Sequence, residues 1–174
     1  MRAQLKRAGS IPPTIARATH IKEWLRLPEA QRGAWSGFLR AHAAIVGELD
    51  EQLRAEHGRS LREYDVLVRL SRAPDNTMQM HELAESARFS RSGLTRMVDR
   101  LAADGLLERR RGASDPRQVF ATITEEGLGW LARATPTHLA GVRGLFLGRL
   151  TREQTEQLVA IWESLSGAAD RDAG

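Results

Sequence analysis

Residues 81–124, HELAESARFSRSGLTRMVDRLAADGLLERRRGASDPRQVFATIT, limit what this chain can fold into more than any other stretch. From His81 to Ala87, Leu83, Ala84 and Ala87 recur at the intervals that bury one side of a helix. Phe89 and Ser90 interrupt that pattern, and Ser90 is a natural N-cap for a second helix. There Leu94, Met97, Val98 and Leu101 fall at i, i+3, i+4 and i+7 and form one apolar stripe. Ser90, Arg91, Ser92, Thr95, Arg96 and Asp99 remain on or near the other side. Gly105 suits a left-handed helix end. Leu106 to Arg111 and Val119 to Ile123 then read as strands, with turn formers Gly112, Ser114, Asp115 and Pro116 between them. Helix, tight connection, helix and a small hairpin is the plan of a winged helix-turn-helix. Such a unit lays its second helix in a DNA major groove and its hairpin on the flanking backbone.

Charge agrees with that plan. Residues 88–117 hold eight arginines, four of them (Arg109, Arg110, Arg111, Arg117) on the hairpin, against four acids. The window carries +4, the whole excess of the chain, since the remainder balances at 18 basic against 18 acidic residues. A positive excess confined to one reading unit is the footprint of a nucleic-acid binder. The window has no lysine, and arginine is the better residue for forked contact to phosphate or guanine.

The order of these elements resembles the MarR (multiple antibiotic resistance regulator) family. So do residues 89–101 (FSRSGLTRMVDRL), residues 105–109 (GLLER), and the wing phrase Asp115-Pro-Arg117 followed by Ile123-Thr124. The resemblance covers residues 34–166. It implies that Arg117 reaches into the minor groove while Asp115 holds the wing through a salt bridge. It also implies a homodimer on a pseudo-palindromic double-stranded operator, repressing until a small ligand releases it; separately, no secretory h-region stands near Met1, and a cytoplasmic protein is expected. The expected DNA contacts are Ser90, Arg91, Ser92, Thr95 and Arg96 on the helix, and Arg109, Arg110, Arg111, Asp115 and Arg117 on the wing. The alternative is a winged-helix interaction module without a specific operator.

The flanks fit a helical dimerisation layer around a reading unit at 58–124. In residues 34–57, Trp35, Phe38, His42, Ile45, Leu49 and Leu53 alternate in steps of three and four, ended by Gly58. Ser60–Glu63 is a capping box before a helix with Leu61, Tyr64, Leu67, Val68 and Leu70 for the core. Residues 74–76 form a turn, and residues 78–80 a short strand able to pair with the wing. Residues 125–166 supply two more helices, one with a kink expected at Pro136, the other opened by the capping box Thr151–Gln154 and carrying Leu158, Ile161, Trp162 and Leu165. The expected fold is therefore mainly α with a small β-wing. Residues 1–33 are a basic extension with a possible helix through Ile21, Trp24 and Leu25, and residues 167–174 a frayed tail.

Other classes are disfavoured. At 174 residues the chain holds one good core. No phosphate loop, Ser/His/Asp grouping or HExxH is present, so no enzyme is expected. The five histidines lack metal-ligand spacing, and no metal or cofactor is expected. No apolar run is long enough to span a bilayer. Zero cysteines exclude disulfides and thiol redox sensing, and with them the peroxide-sensing branch of the family resembled.

An unidentified effector, aromatic or anionic and small, is implied by the same resemblance, with Trp35, Phe38, His42, Asp65 and Arg69 as lining candidates. A urate-responsive branch uses a tryptophan, an aspartate beside an aromatic, and two arginines. Trp24, Tyr64-Asp65 and Arg109 fill three of those places, but Met97 stands at the recognition-helix arginine.

Overall fold

The last turn of the first long helix ends on Gly58, whose φ of +71° lets the chain leave in a left-handed conformation that a side chain would strain. That helix, α1 (Glu29–His57), is followed by α2 (Leu61–Arg72), strand β1 (Thr77–Gln79), α3 (Met80–Ser86), α4 (Arg91–Ala103), strands β2 (Leu107–Arg111) and β3 (Val119–Ile123), α5 (Glu125–Leu145) and α6 (Arg152–Ala169). This computed structural model describes residues 21–112, 115 and 117–169. The expected turn residues Ser114 and Pro116, most of the basic extension and the end of the tail lie outside the described residues.

Two units divide the chain, Met1–Ala43 and Ala44–Gly174. In the first, residues 21–26 are helical and α1 begins at Glu29, five residues before the start expected from its apolar seam. Pro28 directly precedes it, and the Arg32 guanidinium donates to the carbonyls of Leu25 and Leu27. Trp35, Phe38 and His42 form a ladder on α1, with ring centroids 6.0 and 5.9 Å apart. Trp35 and Leu39 are about half exposed.

In the second unit the core gathers Leu53 of α1, Val66, Leu67 and Leu70 of α2, Leu83 of α3, Leu94, Val98 and Leu101 of α4, and Leu107, Ala121 and Ile123 of the sheet. α2 opens on the expected capping box: the Ser60 hydroxyl accepts from the Glu63 N–H and the Glu63 carboxylate accepts from the Ser60 N–H. α6 opens the same way between Thr151 and Gln154. The three strands form one antiparallel sheet in the order β1-β3-β2. Pairing of Met78 with Ala121 confirms that the short strand before α3 joins the wing, though Met80 belongs to the helix. α5 runs unbroken through Pro136. Its start lies tight against the base of the wing, because a Cβ on Gly127 would stand 2.1 Å from the Leu106 carbonyl oxygen.

Candidate nucleic-acid interface

The helix expected to read DNA is α4, and its sequence dictates both of its faces. Leu94, Val98 and Leu101 are fully buried and Met97 nearly so. Each such side chain stabilises docking by about 1.5–3 kcal/mol. That outweighs the few tenths of a kcal/mol that like charges three or four residues apart cost on the exposed side. The helix can therefore carry Arg91, Arg96 and Arg100 on its open face. Ser90 caps it, its hydroxyl accepting from the Gly93 N–H at 3.2 Å. Gly105, with φ +74°, ends it. Arg88, in the turn between α3 and α4, also has a positive φ of 53°, a conformation that costs a non-glycine residue free energy.

The wing is β2, β3 and the turn between them. Strand alternation sends Leu107, Arg109 and Arg111 to one side of β2 and Glu108 and Arg110 to the other. Leu107 is buried and anchors the arm. Arg110 grips Glu108 with two nitrogens, at 3.0 and 2.5 Å. Arg109 reaches across to α4 and meets Asp99 at 2.5 Å. Arg111 and Arg117 are exposed, and among the described residues neither has an ion-pair partner. Asp115 differs from the expectation drawn from the family resemblance. Its carboxylate accepts from the Arg117 backbone N–H at 2.9 Å, and among the described residues it makes no salt bridge. This is the short Asx-turn bond that an aspartate makes two residues ahead. It shapes the turn without occupying the Arg117 guanidinium.

Between α4 and the wing lies an open hollow of about 480 Å3 lined by Arg91, Thr95, Arg109 and Arg117 together with His81 and Gln118. Four of the ten residues singled out from the sequence thus converge on one concavity. Ser90, Ser92, Arg96, Arg110, Arg111 and Asp115 lie outside its lining. The Thr95 hydroxyl donates to the Arg91 carbonyl at 2.9 Å, which leaves it an acceptor for an outside donor. His81 and Gln118 were missed in sequence; their alignment with the hollow depends on β1 pairing with β3, which brings α3 beside the wing.

The expected effector residues divide. Trp35, Phe38 and His42 form the ring ladder of the first unit. In the second, Asp65 and Arg69 are ion-paired at 3.0 Å on α2. Asp65 lines a cleft of about 370 Å3 with Arg62, Tyr64, Arg88, Phe89 and His138. Arg69 lines a separate hollow with Arg72 and Met78. Tyr64 and His138 rings lie 4.6 Å apart, and Arg62 sits 5.3 Å from the centre of the Phe89 ring. The His138 Nδ1 is buried with no hydrogen-bond partner, and burial holds the ring's pKa below the usual histidine value. Spacing in the sequence shows His138 only as a histidine without metal-ligand neighbours; 74 residues separate it from Tyr64, and no local pattern announces the pair. Among the described residues no group of His, Asp or Glu could hold a metal ion, and no helix is long and apolar enough to cross a membrane.

Comparison with known proteins points the same way. A family model described as MarR family matches residues 57–118. The chain is 33% identical to Sco3205 of Streptomyces coelicolor, a MarR family transcriptional regulator solved in complex with DNA, with 82% of this chain and 89% of that one covered and a TM-score of 0.76. It is 28% identical to AbsC, a MarR family regulator of the same organism, over 83% and 97% of the two chains, also at a TM-score of 0.76. It is 29% identical over 117 residues to the HTH-type transcriptional regulator MhqR of Bacillus subtilis (strain 168), covering 67% of this chain and 78% of that protein.

Proposed function

The chain belongs to the MarR family and is a DNA-binding transcriptional regulator, and from that premise we propose that it binds a pseudo-palindromic operator as a homodimer, represses transcription there, and is released by a small aromatic or anionic effector. The observation that carries the DNA half is the hollow between α4 and the wing, where Arg91, Arg109 and Arg117 converge with Thr95. A guanidinium cluster between a groove-sized helix and a hairpin supports one contact path: α4 in the major groove, Arg117 in the adjacent minor groove. Arg91 and Arg96 contact bases or phosphates, Ser90 and Ser92 donate to the backbone, and Arg110 and Arg111 add positive charge along the wing.

Dimerisation rests on apolar surface. Trp35 and Leu39 on α1, and Val159, Ile161 and Leu165 on α6, are 46–60% exposed in the single chain. Each of the two helices thus leaves large apolar side chains in water, the kind of surface that association covers. One winged helix also spans too few base pairs for strong discrimination, whereas two reach half-sites about 34–36 Å apart.

For the effector, the cleft of Tyr64, His138, Arg62, Arg88 and Asp65 has the better chemistry among the residues of the second unit. The Tyr64 and His138 rings, 4.6 Å apart and tilted by 37°, give an aromatic wall for a planar ring, and Arg62 and Arg88 suit an anion. Arg88 links the cleft to the turn before α4. The test is a fluorescence titration of labelled duplex from the chain's own upstream region against a scrambled duplex of equal length, then a screen of small aromatic acids for release. Binding both duplexes equally would make this an interaction module without a specific operator.

A further inference from the structure

An acid on a helix that faces DNA needs a reason, because it repels the phosphates that its neighbours attract. Asp99 is such an acid. It lies one turn beyond Thr95 and three residues beyond Arg96, on the exposed side of α4. Its Oδ1 stands 2.5 Å from the Arg109 Nη1 on β2, across the Gly105 turn. Arg109 is about one third exposed and also lines the hollow that holds Arg91, Thr95 and Arg117.

We propose that Asp99 is a positioning residue for DNA recognition, holding the Arg109 guanidinium between recognition helix and wing at the place where it meets the duplex. Three guanidinium groups line the hollow, and they repel one another before any phosphate arrives. Asp99 offsets that repulsion at one of them and limits its freedom, so less side-chain entropy is lost when DNA binds. The same contact ties the middle of the strand to the third turn of the helix, which sets the wing relative to α4. Both partners are substantially exposed, so the pair contributes little to folding. Its effect falls on binding geometry. Arg110 gives the contrast: its pair with Glu108 ties two residues of one strand and does not reach α4.

This inference rests on the reading of this face as the DNA surface, and the experiment separates the two. Wild type, Asp99→Asn, Arg109→Ala and the double variant are titrated by anisotropy on a labelled duplex of the chain's own upstream region, over about 50–200 mM salt. Asp99→Asn should weaken binding about 3- to 10-fold with no change in the salt slope, because no phosphate contact is itself removed. In the Arg109→Ala background the same change should cause no further loss. Melting temperature and dimer content of Asp99→Asn should match wild type. Tighter or unchanged binding by Asp99→Asn would overturn the proposal, since loss of a merely repulsive acid helps affinity. An Asp99→Asn loss that persists in full without Arg109 would also overturn it. Failure of wild type to bind the duplex at any salt would instead overturn the reading of the face.

Discussion

Replacing Arg117 with alanine isolates the wing's proposed contact with DNA. Arg117 is exposed, and among the described residues its guanidinium has no ion-pair partner. Its backbone N–H donates to the Asp115 carboxylate at 2.9 Å, a bond that survives in alanine. The wing turn should therefore keep its shape, and folding stability should change by less than about 0.5 kcal/mol, as for surface substitutions in general. A lost arginine–groove contact costs about 1–3 kcal/mol, and in the proposed homodimer both wings lose it together. If the two losses add, operator affinity falls by about 2–6 kcal/mol, or roughly 30-fold to more than 10,000-fold. The salt slope should shrink by about one for each arginine that had displaced counterions. The assay is an anisotropy titration on operator duplex at several salt concentrations, with a thermal melt as control. Unchanged affinity at unchanged slope would remove the wing from the mechanism, and with it the functional reading of the hollow.

Three further outcomes follow from particular contacts. Burial lowers the His138 pKa, so the unfolded chain binds a proton on this residue at a higher pH than the folded one does. Stability is then full above the ordinary histidine value near about 6.5 and declines as pH falls below it; melts of His138→Phe should show a flatter pH dependence there than wild type, and parallel curves would refute the argument. Gly127→Ala places a Cβ 2.1 Å from the Leu106 carbonyl, where backbone must move, and should destabilise the fold by about 1–3 kcal/mol in denaturant titration; a neutral result would mean that the α5–wing junction is looser than described. Truncation before Thr151 removes α6 without removing a proposed DNA contact, yet should abolish operator binding along with the dimer; a folded monomer of native affinity would contradict the dimer reading.

Local rules were the ones that could be read from the sequence. The capping boxes at Ser60–Glu63 and Thr151–Gln154, the Ser90 cap and the left-handed Gly58 and Gly105 each depend on residues within a few positions, and each stands where the pattern put it. The wing strands and the β1 pairing were legible because alternation marks the buried Ala121 and Ile123. The start of α1 was misplaced because residues 29–33 carry no apolar period, and helix entry there is set by Pro28 and the Arg32 side chain instead. Within the site, residue types were legible and pairings were not. Four wing arginines look alike in sequence, yet Arg109 is held by Asp99 ten residues away and Arg110 by Glu108, while Arg117 stays unpaired among the described residues. The Asp115 bond to its own turn is an Asx pattern that the sequence does carry, and the family expectation of a salt bridge obscured it.

The central claim is that two copies of this reading unit engage DNA together, each with α4 in a major groove. Inserting about five base pairs between the half-sites of the operator turns one half-site by roughly half a helical turn while leaving every base of both intact. The account predicts that affinity for the expanded duplex falls to near that of a single half-site, and returns in part when about ten base pairs are inserted. Equal affinity for the native and the half-turn spacing would contradict it.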